Sequence, residues 1–253
     1  VSPFSPRRAL LALAPRRAAL LLPQAGAQQA AAPSLEIALD TARPDELVAA
    51  LAAVHASLQA RPVDVVLADA LVKLFVVRPA RGLAGMAELR AMVAARFEDL
   101  FGFDAAGWRI EADWRSHRPF LACAAPLPLL GAIDSALPRR ASVAPLFVHC
   151  LGAAALPAGT VWCAARTHCW VTAACWHDGV VEHVRSVALP PAHSLLAWLA
   201  EEALLVDRPL HTLVLAAADG SAVQTSDFAL RRLDPLPPAL HLLDRMASAE
   251  ATA

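Results

Sequence analysis

Val161-Trp-Cys-Ala-Ala-Arg-Thr-His-Cys-Trp-Val-Thr-Ala-Ala-Cys-Trp-His-Asp-Gly179 packs three cysteines, two histidines and three tryptophans into under twenty residues. A metal site, a redox centre and a pair of strands are all conceivable there. With period two, Cys169, Val171, Ala173 and Cys175 point one way, and His168, Trp170, Thr172, Ala174 and Trp176 the other. The cysteines thus fall among small apolar residues, where a thiol behaves as a small hydrophobe. Structural zinc draws its ligands from close pairs such as Cys-x2-Cys, whereas Cys163, Cys169 and Cys175 are spaced too widely to form one. The stretch is therefore expected as core strand. Asp178-Gly179 suits a type I′ turn, because glycine accepts positive backbone angles. Three strands are predicted in succession: Thr160–Ala165, His168–Trp176 and Val180–Val187.

Downstream, Pro190 and Pro191 open a helix over His193–Leu205, followed by strands at His211–Ala216 and Phe228–Leu233. Pro235, Pro237 and Pro238 are expected to end the fold, leaving 237–253 as a flexible tail. Upstream, a hairpin is predicted from Ala9–Leu13 and Arg17–Leu22 around Ala14-Pro15, with residues 1–8 flexible. Gln24–Ala31 reads as a loop and Ser34–Leu39 as a strand. Asp40 or Thr41 is positioned to cap a helix with Pro44 in its first turn and apolar residues at Leu47, Leu51, Val54 and Leu58. Strands follow at Val63–Ala68 and Leu71–Val77, then an amphipathic helix over Met86–Phe101 stopped by Gly102. Further strands are expected at Trp108–Trp114 and Phe120–Ala124, and helices at Pro128–Ala136 and Val143–Ala155. With the boundary at Pro138-Arg139-Arg140, the first lobe is 9–138 and the second 139–236. Each half runs from tight-turned strands to a helix and another strand, which implies two similarly wired lobes without a visible sequence repeat.

The chain has 253 residues, 57% of them hydrophobic, enough to fill a core. Its net charge is −1 and no dense basic block occurs, so the electrostatic footprint of a nucleic-acid binder is missing. Tyrosine and asparagine are absent and Lys73 is the sole lysine, the amino-acid shadow of GC-rich coding in a bacterial source. Five cysteines, an odd number spread among apolar residues, favour a reduced cytosolic setting over a disulfide scaffold. Near the N-terminus, Pro15, Arg16 and Arg17 split the apolar run into pieces too short for a signal core of about 7 to 15 residues. The uncharged run Ala141–Ala165 has the length of a membrane span, about 20 residues. Pro145, His149, Gly152, Pro157 and Gly159 interrupt it, so no transmembrane span is expected.

Catalytic signals are sparse. Asp64 and Asp69 flank an apolar strand and read first as turn formers. Ser142, Ser194, Ser221 and Ser226 lack the Gly-x-Ser-x-Gly elbow of a hydrolase. His117, His183, His193 and His211 are isolated, and no phosphate-cradling glycine motif is present. No catalytic, cofactor-binding or metal-ligating residue is assigned from the sequence.

Several stretches carry a family resemblance over roughly Arg8 to Asp234. They are Leu10–Leu22, Val65-Val-Leu-Ala-Asp-Ala-Leu-Val-Lys-Leu-Phe-Val-Val-Arg-Pro79, Ala95-Arg-Phe-Glu-Asp-Leu-Phe-Gly102 with Trp108, and the three strands that open the second lobe. In these the chain resembles the actin-like pilus and secretion proteins: PilM of type IV pili, MshI and the cytoplasmic domain of GspL. The resemblance implies an α/β bilobal fold of the actin and ribonuclease H type, each lobe a mixed sheet flanked by helices. Nucleotide-binding members of that class use an Asp-x-Gly turn in each lobe and a Gly-Gly step near the adenosine. Here the first turn maps to Ala14-Pro15-Arg16-Arg17, the second to Ala165-Arg166-Thr167-His168, and the adenosine segment to Leu213–Ser221, where Gly220 alone survives. Without a carboxylate there is no seat for Mg²⁺, and without glycine the backbone cannot close on a phosphate. No cofactor is therefore expected.

What the resemblance implies is a non-catalytic scaffold or adaptor of a type IV pilus or type II secretion-like envelope machine. It would act at the cytoplasmic face of the inner membrane, with pilus or secretion assembly proteins as partners and any membrane attachment through a partner. The related adaptors present a cleft or sheet to a partner's short cytoplasmic segment or to the assembly ATPase, and a strand-edge or groove mode suits this chain. The competing reading is an ATP-binding actin-like kinase or ATPase with a non-standard site at Asp64, Asp69 and Asp219. A third is a secreted protein whose first residues are removed. Oligomeric state is not legible.

Overall fold

The computed structural model describes residues 8–23, 33–82, 85–115, 117–218, 228–234 and 236–251. The expected flexible segment 1–8 lies outside them except for Arg8, as does the whole Gln24–Ala31 loop.

The chain opens with β1 (Ala9–Leu13) and β2 (Arg17–Leu21), an antiparallel hairpin extended by β3 (Leu35–Ala38). Helix α1 (Pro44–Leu58) then returns the chain to β4 (Val63–Leu67), which lies parallel to β1. Proline sits in the first turn of α1, where its missing N–H costs nothing, and Leu47, Leu51, Val54 and Leu58 are buried as their spacing required. Neither Asp40 nor Thr41 caps it; the N-cap is Arg43, while the Asp40 carboxylate closes its own turn on the Ala42 N–H at 2.9 Å.

After a short 3₁₀ turn at Asp69–Leu71 comes an inserted unit: β5 (Lys73–Val77), α2 (Met86–Phe101), β6 (Trp108–Ala112) and β7 (Phe120–Pro126). The strands form an antiparallel three-stranded sheet in the order β5-β7-β6. It is packed on α2 through Phe75, Leu89, Val93, Phe97 and Phe120. Gly102 ends α2 with φ of 69°, a left-handed cap that glycine adopts without strain. Leu100, in the last turn of α2, is 42% exposed.

Helix α3 (Leu127–Ala136) leads to β8 (Arg140–Pro145) and α4 (Leu146–Ala153). Two expectations change here. The helix predicted over Val143–Ala155 begins only at Leu146, because Pro145 ends a strand and the residues before it pair with β4. For the same reason the boundary placed at Pro138-Arg139-Arg140 falls inside the first sheet, whose order is β3-β2-β1-β4-β8.

The second sheet is built from β9 (Thr160–Thr167), β10 (Trp170–His177), β11 (Val180–Ala188), β12 (Thr212–Ala217) and β13 (Ala229–Arg232), with α5 (Leu195–Leu205) between β11 and β12. Its order, β11-β10-β9-β12-β13, repeats the wiring of the first sheet strand for strand. The turn between β10 and β11 has φ of 48° at Asp178 and 74° at Gly179, both positive as a type I′ turn demands.

The segment expected as a tail is instead α6 (Pro238–Ala251). Ala239, Leu240, Leu242, Leu243 and Met246 are buried, and they join residues of both five-stranded sheets in one continuous core. Pro238 opens this helix rather than breaking the fold. No helix among the described residues is long and apolar enough to cross a membrane, a statement that concerns helices only. The run Ala141–Ala165 is divided among β8, α4 and β9.

Candidate functional site

The strands of the opening stretch show what their alternation accomplishes. On β10, Val171, Ala173 and Cys175 face α5 together with Leu195 and Leu199. Ala174 and Trp176 face the core shared with the first sheet. Thr172, on that same face, is wholly buried. Cys163 joins the shared core, Cys175 the α5 side, and Cys169 sits in the two-residue turn with His168, so the three thiols do not converge. Burial pushes the thiols of Cys123, Cys150, Cys163 and Cys175 up to about 12, which keeps them protonated and poor as nucleophiles or ligands. No group of three or more His, Cys, Asp or Glu side chains among the described residues is placed to hold a metal ion.

The nucleotide-turn positions are equally spare. Between β1 and β2 the turn closes with the Ala14 N–H on the Arg17 carbonyl at 2.8 Å and carries neither Asp nor Gly. In the second lobe the strand runs on through Ala165, Arg166 and Thr167, so the turn falls at His168-Cys169, later than its expected position. Of the adenosine segment, Leu213–Ala217 lies in β12, while Asp219, Gly220, Ser221 and also Ser226 lie outside the described residues.

Asp64 and Asp69 are not brought together. Asp64 is the second residue of β4, and Asp69 lies beyond the strand's end, in the 3₁₀ turn. Asp64 accepts from the Ser142 hydroxyl at 2.6 Å and from Arg8 at 3.5 Å. Asp69 is only 4% exposed. Its carboxylate accepts the Phe147 N–H, in the first turn of α4, at 3.0 Å. Burial pushes its pKa up to about 6, against the Phe147 bond and the nearby Thr172 hydroxyl, which favour the charged form.

The histidines and serines take structural places. Ser194 caps α5, its hydroxyl accepting the Ala197 N–H at 3.2 Å. His117, His193 and His211 are exposed. His183 belongs to a polar cluster that the sequence did not reveal: Glu202, 2% exposed on α5, lies 2.9 Å from His183 Nε2 and accepts from Arg185 at 2.6 Å. The available signal was the alternation of His183 and Arg185 on β11 beneath a glutamate on an apolar helix face.

A feature with the capacity to receive a ligand is a groove of about 780 Å³ where the three sheets meet. One wall is the face of β7 with Leu121 and Cys123, and a second is β8 and α4 with Val143, Pro145, Val148 and Leu151. The third wall is the β10–β11 hairpin with Trp176, Gly179 and Val181. Trp176 is braced by Phe147, stacked with ring centroids 6.2 Å apart. The rim is charged: Arg140 pairs with Asp134 at 2.9 Å, Arg109 approaches the same carboxylate at 3.8 Å, and Arg115 pairs with Asp113 at 2.9 Å. Arg118 and Glu111 also line it. Both β8 and β6 are edge strands of their sheets, and both border the groove, which offers strand edges as well as an apolar floor.

No protein-family model matches the sequence, and no curated protein matches it significantly. Solved structures do. The cytoplasmic domain of EpsL, an inner-membrane component of the type II secretion system of Vibrio cholerae, superposes with a TM-score of 0.57 at 13% identity, covering 95% of this chain and 94% of that one. A Bacteroides thetaiotaomicron protein with an actin-like ATPase fold gives 0.57 at 10% identity, over 94% and 96%. The PilM-PilN type IV pilus biogenesis complex gives 0.53 at 14% identity, over 96% of each chain. At such identities the likeness is one of fold, and it spans nearly the whole molecule. The chain has the bilobal actin-like α/β fold shared by the pilus and secretion assembly proteins PilM and EpsL.

Proposed function

We propose that this protein is a non-catalytic actin-like scaffold of a type IV pilus or type II secretion-like envelope machine, and that it docks an extended segment of a partner protein in the inter-sheet groove. The observation that carries this reading is the groove itself, about 780 Å³ with an apolar floor, a charged rim and two strand edges beside it. An extended peptide binds such a place by main-chain bonds to an edge strand and by side chains in the pockets between. PilM is found in complex with PilN, and EpsL is an inner-membrane component of a secretion system, which supports partners of the same kind here. The protein would then work at the cytoplasmic face of the inner membrane, held there by its partner. The enzyme alternative gains nothing from Asp64 and Asp69, which lie on β4 and in the turn beyond it and bond different partners, Ser142 and Phe147.

Site-specific photo-crosslinking in the native host tests the reading. A crosslinker at Leu121 is expected to capture a pilus or secretion assembly protein, and Val143→Arg, which fills the groove, is expected to abolish the adduct. The control position is Leu204, exposed on α5 and not among the residues that line the groove. Adducts from Leu204 alone, or capture at Leu121 that survives Val143→Arg, overturn the reading.

A further inference from the structure

Arg166, near the end of β9, carries a charge without a counterpart. The residue is 7% exposed, and its Nε is buried with no hydrogen-bond partner. Among the described residues no ion pair or hydrogen bond reaches its guanidinium. An arginine cannot shed its proton, so burial without a partner costs free energy until an anion meets the charge.

The register sets Val187, Val171, Arg166 and Ala217 in one row across β11, β10, β9 and β12. The three apolar members pack on the α5 side of the sheet, as do Trp162 and Ala164 of β9, so alternation turns Arg166 to that side too. Glu202 fixes where α5 lies, because it bonds His183 and Arg185 on β11. Leu195 stands seven residues before Glu202, about 10 Å along the helix axis. From the middle of His183 and Arg185 to Val187 is also about 10 Å of strand, which brings the first turn of α5 over the row of Arg166.

That first turn has amide donors to spare. Ser194 accepts the Ala197 N–H on its hydroxyl and the Trp198 N–H on its carbonyl, each at 3.2 Å. The Leu195 and Leu196 N–H groups are thereby left without an acceptor within the helix. The positive end of α5 and a buried guanidinium thus meet at one end of the sheet, while Glu202, the acid buried under the same helix, is already bonded to His183 and Arg185.

We propose that Arg166 and the N-terminus of α5 form a binding site for a small free oxyanion, a phosphate or a carboxylate. Its oxygens accept from the guanidinium and from the spare amides of the first turn, both of which favour negative charge. Because so little of Arg166 is accessible, the ligand is a small ion rather than a phosphate borne on a nucleotide. The site lies on the α5 side of the second sheet, opposite the core that the two lobes share, and it does not depend on the groove or on what docks there.

Thermal unfolding of the full chain in sodium chloride, sodium acetate and sodium phosphate, at one pH and one ionic strength, tests the site. Phosphate or acetate is expected to raise Tm saturably above its value in chloride, by roughly 3 to 5 °C at about ten times the dissociation constant. Which of the two anions does so separates the two ligand classes. Arg166→Met should lose the rise. Arg166→Lys keeps the charge without the planar fork and should bind the same anion about tenfold more weakly, an arm that stands by itself if Arg166→Met does not fold. Equal rises in the wild type and Arg166→Met would mean only the general exclusion of such salts from protein surfaces, and would overturn the site. No rise with either anion, or an Arg166→Lys variant that binds as tightly as the wild type, overturns it as well.

Discussion

Two buried carboxylates, Asp69 and Glu202, show how differently one functional group behaves in two settings. Glu202 is 2% exposed yet meets two basic partners, His183 and Arg185, the latter half-exposed. Removing the carboxylate leaves its partners free to rehydrate, whereas removing Arg185 strands a buried charge on the histidine alone. Glu202→Leu is therefore expected to cost about 1 kcal/mol and Arg185→Ala about 2 to 3 kcal/mol, discounted for the exposure of the arginine. Urea unfolding measures both, and the reverse order refutes the account. Asp69 has no basic partner among the causes that set its pKa, and burial raises it from 3.8 to about 6. Its folded pKa lies above its unfolded one, so its contribution to stability is complete below about 3.8 and is lost as pH rises through about 6. Asp69→Asn cannot titrate, so wild-type stability relative to that variant should fall by up to about 3 kcal/mol between pH 4 and pH 7. A difference that is constant, or that grows with pH, contradicts the assignment. Asp69 was legible as a strand-end carboxylate, but its partner Phe147 lies 78 positions along the chain, and no local pattern announces their meeting.

Among the elements, those with a strong period or an obligatory turn were readable from sequence. Met86–Phe101 forms a helix over the expected span, and the Asp178-Gly179 hairpin forms where glycine and aspartate allow positive φ. The failures share one cause, an apolar or proline-containing run whose fate is decided by a distant strand. Val143 and Ala144 pair with Val65 and Val66 of β4, and a short apolar run cannot declare whether it will find such a neighbour. The prolines before α6 were read as breaks although Pro238 stands at the first helical position, where proline is favoured. Behind it Ala239, Leu240, Leu242, Leu243 and Met246 form a helical stripe, now buried between the two sheets. This helix lies against β1, β2 and β9 and so fastens the lobes together. Leu243→Ala is expected to destabilise the protein by about 3 kcal/mol, the transfer loss plus the cavity left in a core that collapses poorly. Chemical denaturation reads that loss directly. A change below about 0.5 kcal/mol, typical of a surface site, would return the segment to the status of a tail.

At the scale of the molecule, the repeated wiring was visible as an order of elements: strands on tight turns, a helix, another strand, twice over. The groove was not visible, because it arises where the inserted β5-β7-β6 sheet meets β8 of one lobe and the β10–β11 hairpin of the other, and local sequence carries no record of such a meeting. The same arrangement bears on nucleotide. In an actin-like fold the two lobes clasp phosphates between their hairpin turns, which requires a carboxylate for the metal and glycine for close approach. The turns here supply alanine, proline and arginine at one place and histidine and cysteine at the other. The cores of both sheets also run together into one cluster closed by α6, and Arg78, just beyond β5, donates to the Glu182 carbonyl of β11 at 2.7 Å. A body tied at so many points has little to gain from a nucleotide-driven opening. Mg-ATP is thus expected to leave thermal unfolding unchanged at millimolar concentration. A site filled to 100 times its dissociation constant would add about 2.7 kcal/mol, which in a protein of this size is a shift of roughly 5 to 10 °C and easily seen. A saturable shift of that size would mean that other residues have replaced the missing turns, and the scaffold reading would yield to an ATP-binding one.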